Sequence, residues 1–175
     1  MREGVDPTVV AVGSGEVFED FFLREYGSVV GLAYALCADR TVAEDLAQEA
    51  FLAAHRNWSR LASYDRPGAW IRRVVVNLSV SAFRRRVAEA KALVRLASRE
   101  EPLVDEMPSA HAEFWTAVRA LPRRQAQVVA LFYVDDLPVN EIADVLGVSS
   151  GSVKKHLHEA RRALARTLGA EEDGT

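Results

Sequence analysis

Arg73, Asn77, Val80/Ser81, Arg84 and Arg85 recur at intervals of three and four, which puts them on one face of a helix. Guanidiniums on either side of an amide suit a nucleic acid strand. The cations hold phosphates, and Asn offers a base edge both a donor and an acceptor. Tyr64, just upstream, presents a ring on which an unpaired base can stack for about 1–3 kcal/mol. A solvated basic face would read the same way, so the pattern needs independent support.

That support comes from Val139–His158, VNEIADVLGVSSGSVKKHLH, which reads as a helix-turn-helix. Ala143 is small enough for a second helix to cross it, and Gly147 suits the positive φ of a helix end. Val148, Val153 and Leu157 fill the angle, and Ser149 is a good N-cap. With Val153, Leu157, Ala160, Leu164 and Leu168 inward, Ser150, Gly151, Ser152, Lys154, Lys155, His158 and Arg162 are left for the DNA groove. An ordinary αα-hairpin is the plainer reading of this segment alone.

A third polar set, Asp45, Gln48, Glu49 and Leu52, falls at i, i+3, i+4 and i+7. An exposed leucine beside carboxylates marks a protein-docking surface, or a solvated acidic face with one stray leucine. Catalytic chemistry finds no foothold: there is no glycine-rich phosphate loop, nucleophile motif or defensible carboxylate pair. His156 and His158 point apart on a helix and no cysteine or carboxylate set joins them, so no metal is expected, and no cofactor. The chain does not read as an enzyme.

The elements that must carry these residues are all helical. Phe18–Cys37 shows apolar residues at three and four, with a break near Gly27 or Gly31 conceivable. Thr41 and Glu44 form a capping box for a helix over about 42–58, whose stripe is Leu46, Ala47, Ala50, Phe51, Ala54 and Trp58. Residues 59–68 form a loop. Trp70, Ile71, Val74, Val75, Leu78 and Ala82 then mark a helix over about 68–87, extendable to Leu96. Residues 99–111 carry two prolines and five charges and read as a linker able to stretch about 40 Å. Helices over 113–120, 123–134, 139–146 and 150–168 follow, with Pro122 and Pro138 at starts. The expected fold is all-α, two small helical bundles (16–98 and 112–168) joined by a flexible linker. A disordered lead (1–15) and an acidic tail (169–175) flank them.

A net charge of −3 over 175 residues conceals segregation. Residues 1–55 hold 3 basic and 10 acidic groups, 56–99 hold 11 and 2, 100–148 hold 3 and 9, and 149–168 hold 5 and 1. Attraction to phosphate acts over a Debye length of about 10 Å, so two local basic blocks can grip DNA while acidic surfaces meet something else. The lone cysteine, Cys37, excludes an internal disulfide and fits a core position in a reducing cytoplasm. No apolar run reaches membrane-spanning length and no secretion signal is evident, so a cytoplasmic protein without membrane insertion is expected.

In order, EDLAQEAFLAAHRNW (44–58), RPGAWIRRVVVNLSVSAFRRR (66–86) and ALPRRQAQVVALFYVDDLPVNEIADVLGVSSGSVKKHLHEARRAL (120–164) resemble a bacterial RNA polymerase sigma factor of the sigma-70 type. The small extracytoplasmic-function class, and within it the actinobacterial sigma-E group, is the most similar. The resemblance implies a dissociable initiation subunit that directs core polymerase to promoters and helps melt the −10 region. It implies that Asp45, Gln48, Glu49 and Leu52 dock on the clamp coiled coil of the largest polymerase subunit. It implies that Tyr64, Arg73, Asn77, Ser81, Arg84 and Arg85 handle the −10 strand, with a base flipped from the stack. The helix over 150–168 would read the −35 element in the major groove, and an anti-sigma protein is a further partner to expect. Relatives often carry arginine where His156 stands, so the −35 base preference does not transfer. A two-domain helix-turn-helix activator, and a structural adaptor binding RNA or lipid, are the competing readings.

Overall fold

The computed structural model describes residues 17–96 and 109–172, and side chains of 94–96, 109–110 and 170–172 are not placed. The expected lead (1–15) and most of the linker (99–108) therefore lie outside the described residues, as does the end of the tail. Eight helices make up the described chain: α1 (Phe18–Cys37), α2 (Arg40–Arg56), α3 (Trp58–Leu61), α4 (Pro67–Leu96), α5 (Ser109–Ala120), α6 (Arg123–Tyr133), α7 (Val139–Leu146) and α8 (Ser150–Glu172).

The first module packs α1, α2 and α4 against one another. Its centre is aromatic: the Phe21 ring lies 4.9 Å from Trp58 and 5.9 Å, edge-on, from Phe51. Such rings each contribute about 1.5–3 kcal/mol by leaving water, with a further increment from the edge-to-face geometry. α1 passes through Gly27 and Gly31 without a break and ends at Ala38, whose φ of 61° is left-handed. α2 starts two residues before the expected position. The side chain of Asp39, not Thr41, caps it by accepting from the Val42 amide at 2.9 Å. The start of the expected loop, 59–61, is helical within α3, where Leu61 is buried in the core and Trp58 packs against it.

α4 departs from the expected register. Its buried line is Ile71, Val75, Val76, Ser79, Val80 and Ala82, whereas Trp70, Val74 and Leu78 are only half-buried. The apolar face is thus turned toward Val76 and Val80, and Val80 belongs to the core instead of the polar stripe. Cys37 is fully buried, and burial raises its thiol pKa above the ordinary value of 9.0.

In the second module α8 packs on α5, α6 and α7. α5 begins at Ser109, inside the expected linker, and α8 continues to Glu172, into the expected tail. The helix-turn-helix forms as the spacing predicts: Gly147 has φ 64° after α7, and Ser149 Oγ accepts from the Ser152 amide at 3.1 Å. Pro122 and Pro138 precede α6 and α7.

The two modules do not stand apart. α5 and α6 pack on α1, and α6 and α7 pack on α4, so that buried residues of both modules form one contiguous core. Loosely tethered bundles predict separate cores; here the tether joins bundles that share one.

Candidate functional site

Three surfaces carry the residues singled out by their spacing. On α2, Asp45, Gln48, Glu49 and Leu52 are all exposed, Leu52 by 56%. Beside them runs a groove of about 360 Å³ lined by Phe18, Phe22, Gln48, Phe51, Leu52 and His55. Leu52 is therefore the lip of an apolar groove between α1 and α2, not a stray residue. Sequence spacing gave no sign of this groove, because α1 contributes Phe18 and Phe22 to it.

On α8, Gly151, Lys154, Lys155, His158 and Arg162 are exposed along one side, and Val153, Leu157, Ala160 and Leu164 are buried on the other. Ser150 and Ser152 are half-buried, and the Ser152 hydroxyl shares a 2.9 Å hydrogen bond with Ser149. His156 is turned inward: its ring Nδ1 lies 3.8 Å from Glu159 Oε2 without hydrogen bonding. Lys155 sits 3.9 Å from Glu159, a solvent-exposed pairing that contributes little. Lys154, Lys155 and Arg162 are all exposed along α8, as phosphate contacts require.

The polar side of α4 is the surprise. Arg84 and Arg85 are exposed, and Tyr64 is 39% exposed with Arg60 over its ring at 5.9 Å. Ser81 hydrogen-bonds the Asn77 carbonyl at 2.8 Å. Toward the N-terminal half the second module reaches this face, half-burying Asn77 while Arg73 stays exposed. Asn77 Oδ1 accepts from Arg123 Nη2 at 2.8 Å and from Gln127 Nε2 at 2.9 Å. The Arg73 guanidinium lies against the helix-turn-helix turn, close enough that a Cβ on Gly147 would stand 3.2 Å from it. Arg66 reaches Asp144 at 3.3 Å and Glu141 at 3.8 Å.

At the centre of this seam is Arg72, which no spacing argument singled out. Its Nη1 donates to Glu25 Oε2 at 2.7 Å and to the Gly68 carbonyl at 3.2 Å, and its Nε donates to Asp135 Oδ2 at 2.7 Å. Ser28 Oγ donates to the other Asp135 oxygen at 2.6 Å. Burial pulls the guanidinium toward neutrality, but Asp135 and then Glu25 outweigh it and raise its pKa above the ordinary arginine value. A signal for half of this hub was present: Glu25 stands on the apolar face of α1 between Phe21 and Val29, and a buried carboxylate there demands a cation. Nothing local pointed to Asp135. Among the described residues no group of three His, Cys, Asp or Glu side chains is placed to hold a metal ion.

Comparison with known proteins gives this arrangement a context. Residues 21–89 match the family model described as Sigma-70 region 2, and residues 111–164 match Sigma-70, region 4. The chain is 31% identical over 157 residues to an RNA polymerase sigma-E factor of Streptomyces avermitilis, covering 87% of this chain and 84% of that protein. It is 32% identical over 165 residues to the ECF RNA polymerase sigma factor SigM of Mycobacterium tuberculosis, covering 90% and 80%. Among solved structures, the sigma factor RpoE of Bartonella quintana, held in complex with the anti-sigma factor NepR, superposes with a TM-score of 0.66 at 20% identity. The match covers 87% of this chain and 96% of that one. CnrH, in complex with the cytosolic domain of CnrY, superposes with a TM-score of 0.63 at 22% identity, covering 87% and 88%. Both likenesses concern the fold.

Proposed function

The chain belongs to the extracytoplasmic-function class of bacterial sigma-70 RNA polymerase sigma factors, and on that premise we propose how its three surfaces divide the work of initiation. As a sigma factor it is a dissociable subunit that directs core polymerase to promoters. In the proposed division, Asp45, Gln48, Glu49 and Leu52 on α2, with the groove beside them, dock on the clamp coiled coil of the largest polymerase subunit. Arg73, Asn77, Ser81, Arg84 and Arg85, with Tyr64, hold the −10 strand. Ser150, Gly151, Ser152, Lys154, Lys155, His158 and Arg162 meet the −35 element in the major groove.

The observation that carries this reading is the open α2 face. The second module packs on α1 and α4 and leaves Asp45, Gln48, Glu49 and Leu52 in solvent around an apolar groove. An exposed leucine at an apolar groove, with carboxylates on the same helix face, has the makings of an interface with an apolar centre and a polar rim. For the −10 strand, unstacking a base costs a few kcal/mol, which an Asn acceptor-donor pair, an aromatic face and neighbouring cations together offset. The site of action is the cytoplasm, where core polymerase works. An anti-sigma protein is a further proposed partner, a reading supported by the anti-sigma complexes among the structural neighbours.

Promoter selection tests the whole assignment. Purified core polymerase is incubated with the chain and a random promoter library, and the transcribed templates are recovered. Enriched paired elements spaced as −10 and −35 boxes are expected. Enrichment of a duplex site without transcription would instead identify a helix-turn-helix activator.

A further inference from the structure

Between Ser149 and Leu168 the chain carries five cations and a single carboxylate, Glu159. Lys155, Glu159, Arg162 and Arg166 recur at four, three and four, so the carboxylate stands in the middle of a cationic stripe of α8. A negative charge there opposes phosphate binding, and helix stability gives no reason for it. Lys155 precedes Glu159, the less favourable order along a helix, and the two stand 3.9 Å apart with both side chains open to solvent. The carboxylate is nevertheless held in place. Gln125 Nε2, from α6, donates to Glu159 Oε2 at 3.2 Å, and His156 Nδ1 lies 3.8 Å from the same oxygen without hydrogen bonding. Among the described residues Oε1 meets only the Lys155 ammonium, so one oxygen keeps its acceptor capacity. Glu159 lines a groove of about 350 Å³ with Pro122, Gln125, Arg162, Ala163 and Arg166, and both of these arginines are exposed.

We propose that Glu159 reads a base of the −35 element and selects cytosine there. This inference rests on the assignment of α8 to the −35 major groove made above. In that groove guanine presents two acceptors, thymine an acceptor and a methyl group, and adenine an acceptor beside its amino group. Cytosine alone presents a donor with no acceptor of its own. A carboxylate accepts from the cytosine amino group and meets a lone pair on each of the other bases. Its loss of water in the groove is compensated only where such a donor stands. The charge that weakens binding to DNA in general therefore sharpens the choice of sequence, because it penalises the wrong partners more than the right one. Lys155, Arg162 and Arg166, longer side chains of the same stripe, reach phosphates on the groove walls. Gln125 is a positioning residue: by fixing Oε2 it presents the carboxylate to the base already oriented.

The experiment uses the full chain with core polymerase and a promoter recovered by the selection above. The −35 element is varied one base pair at a time, and transcription from each template is read. The parent chain is expected to favour cytosine over the other bases by about tenfold or more at one −35 position. Glu159→Gln keeps an oxygen for the Gln125 amide and adds an amide that pairs with adenine, so the preference at that position is expected to move from cytosine to adenine. Gln125→Met removes the tether but leaves the carboxylate, and cytosine is expected to stay preferred. Unaltered choice at the −10 element verifies that each variant is folded. Unchanged preference at every −35 position in Glu159→Gln, even with lower overall transcription, reduces Glu159 to a link between α6 and α8 and overturns the proposal. A switch of preference in Gln125→Met overturns it too, as does a parent that reads the −35 element but favours cytosine at none of its positions. If the parent shows no −35 preference at all while its −10 choice persists, the α8 assignment fails, and this inference fails with it for that separate reason.

Discussion

Leu52 and Asn77 test two surfaces of the first module; Leu52 separates function from folding, whereas Asn77 also accepts a hydrogen bond from the buried Gln127. Leu52 is 56% exposed at the groove lip, so Leu52→Asp changes thermal stability by less than about 0.5 kcal/mol. The same substitution puts a charge into the apolar centre of the docking surface, and affinity for core polymerase is expected to fall at least about tenfold, read by fluorescence anisotropy. Unchanged affinity would remove α2 from the interface. Asn77→Ala deletes a base-edge partner worth about 1–3 kcal/mol, so open-complex formation is expected to drop about tenfold while capture of duplex promoter is preserved. Permanganate footprinting against gel-shift binding distinguishes the two, and equal losses would contradict a melting role. The exposure of Leu52 was legible from spacing, because an exposed residue answers only to its own helix's period; the partners of the half-buried Asn77, Arg123 and Gln127, were not. Arg72 and Asp135 were not, since their meaning lies in a partner 63 residues away.

At the scale of elements, the helix ends were read from chemistry that is local, and where the reading slipped a nearer group had won. Asp39 displaced Thr41 as the α2 cap because Asp39 is already held by the sharp turn at Ala38. α4 rotated relative to its expected register because it serves two neighbours: α1 and α2 on one side, the second module on another. A single apolar stripe describes a helix with one partner, and α4 has more than one. Two turns give paired predictions of opposite sign. Ala38 closes α1 at φ 61°, a conformation that costs a residue with a Cβ about 1 kcal/mol, so Ala38→Gly is expected to raise stability by about 0.5–1 kcal/mol. Gly147 occupies φ 64° in the helix-turn-helix, so Gly147→Ala is expected to lower it by about 1 kcal/mol or more, with the added methyl pressing on Arg73. Urea denaturation of both variants checks the pair, and changes of the same sign would refute the strain argument.

For the molecule as a whole, the alternation of acidic and basic blocks was plain in the sequence, but not which blocks would meet. The acidic stretch 100–148, which composition alone leaves free for an outside partner, sends Asp135, Glu141 and Asp144 onto the chain's own basic helix. A shared core and a buried ionic hub make one cooperative unit out of what linker composition presents as two. The tryptophans report on this separately: Trp58 and Trp70 lie in the first module and Trp115 in the second. A Trp115→Phe chain and a Trp58→Phe/Trp70→Phe chain should therefore unfold in urea at the same midpoint, with the slope of a single large unit. Arg72→Met then leaves Glu25 and Asp135 without their cation, a loss of about 3–5 kcal/mol if both stay buried. They need not both stay buried: Asp135 regains water when the modules part, whereas Glu25 is held within the first module, 3.0 Å from Arg24. The cost is thus expected as a split, in which the two fluorescence transitions separate and the first module's midpoint moves lower. Midpoints that already differ before the substitution, or that stay together after it, would show that the seam contributes no cooperativity.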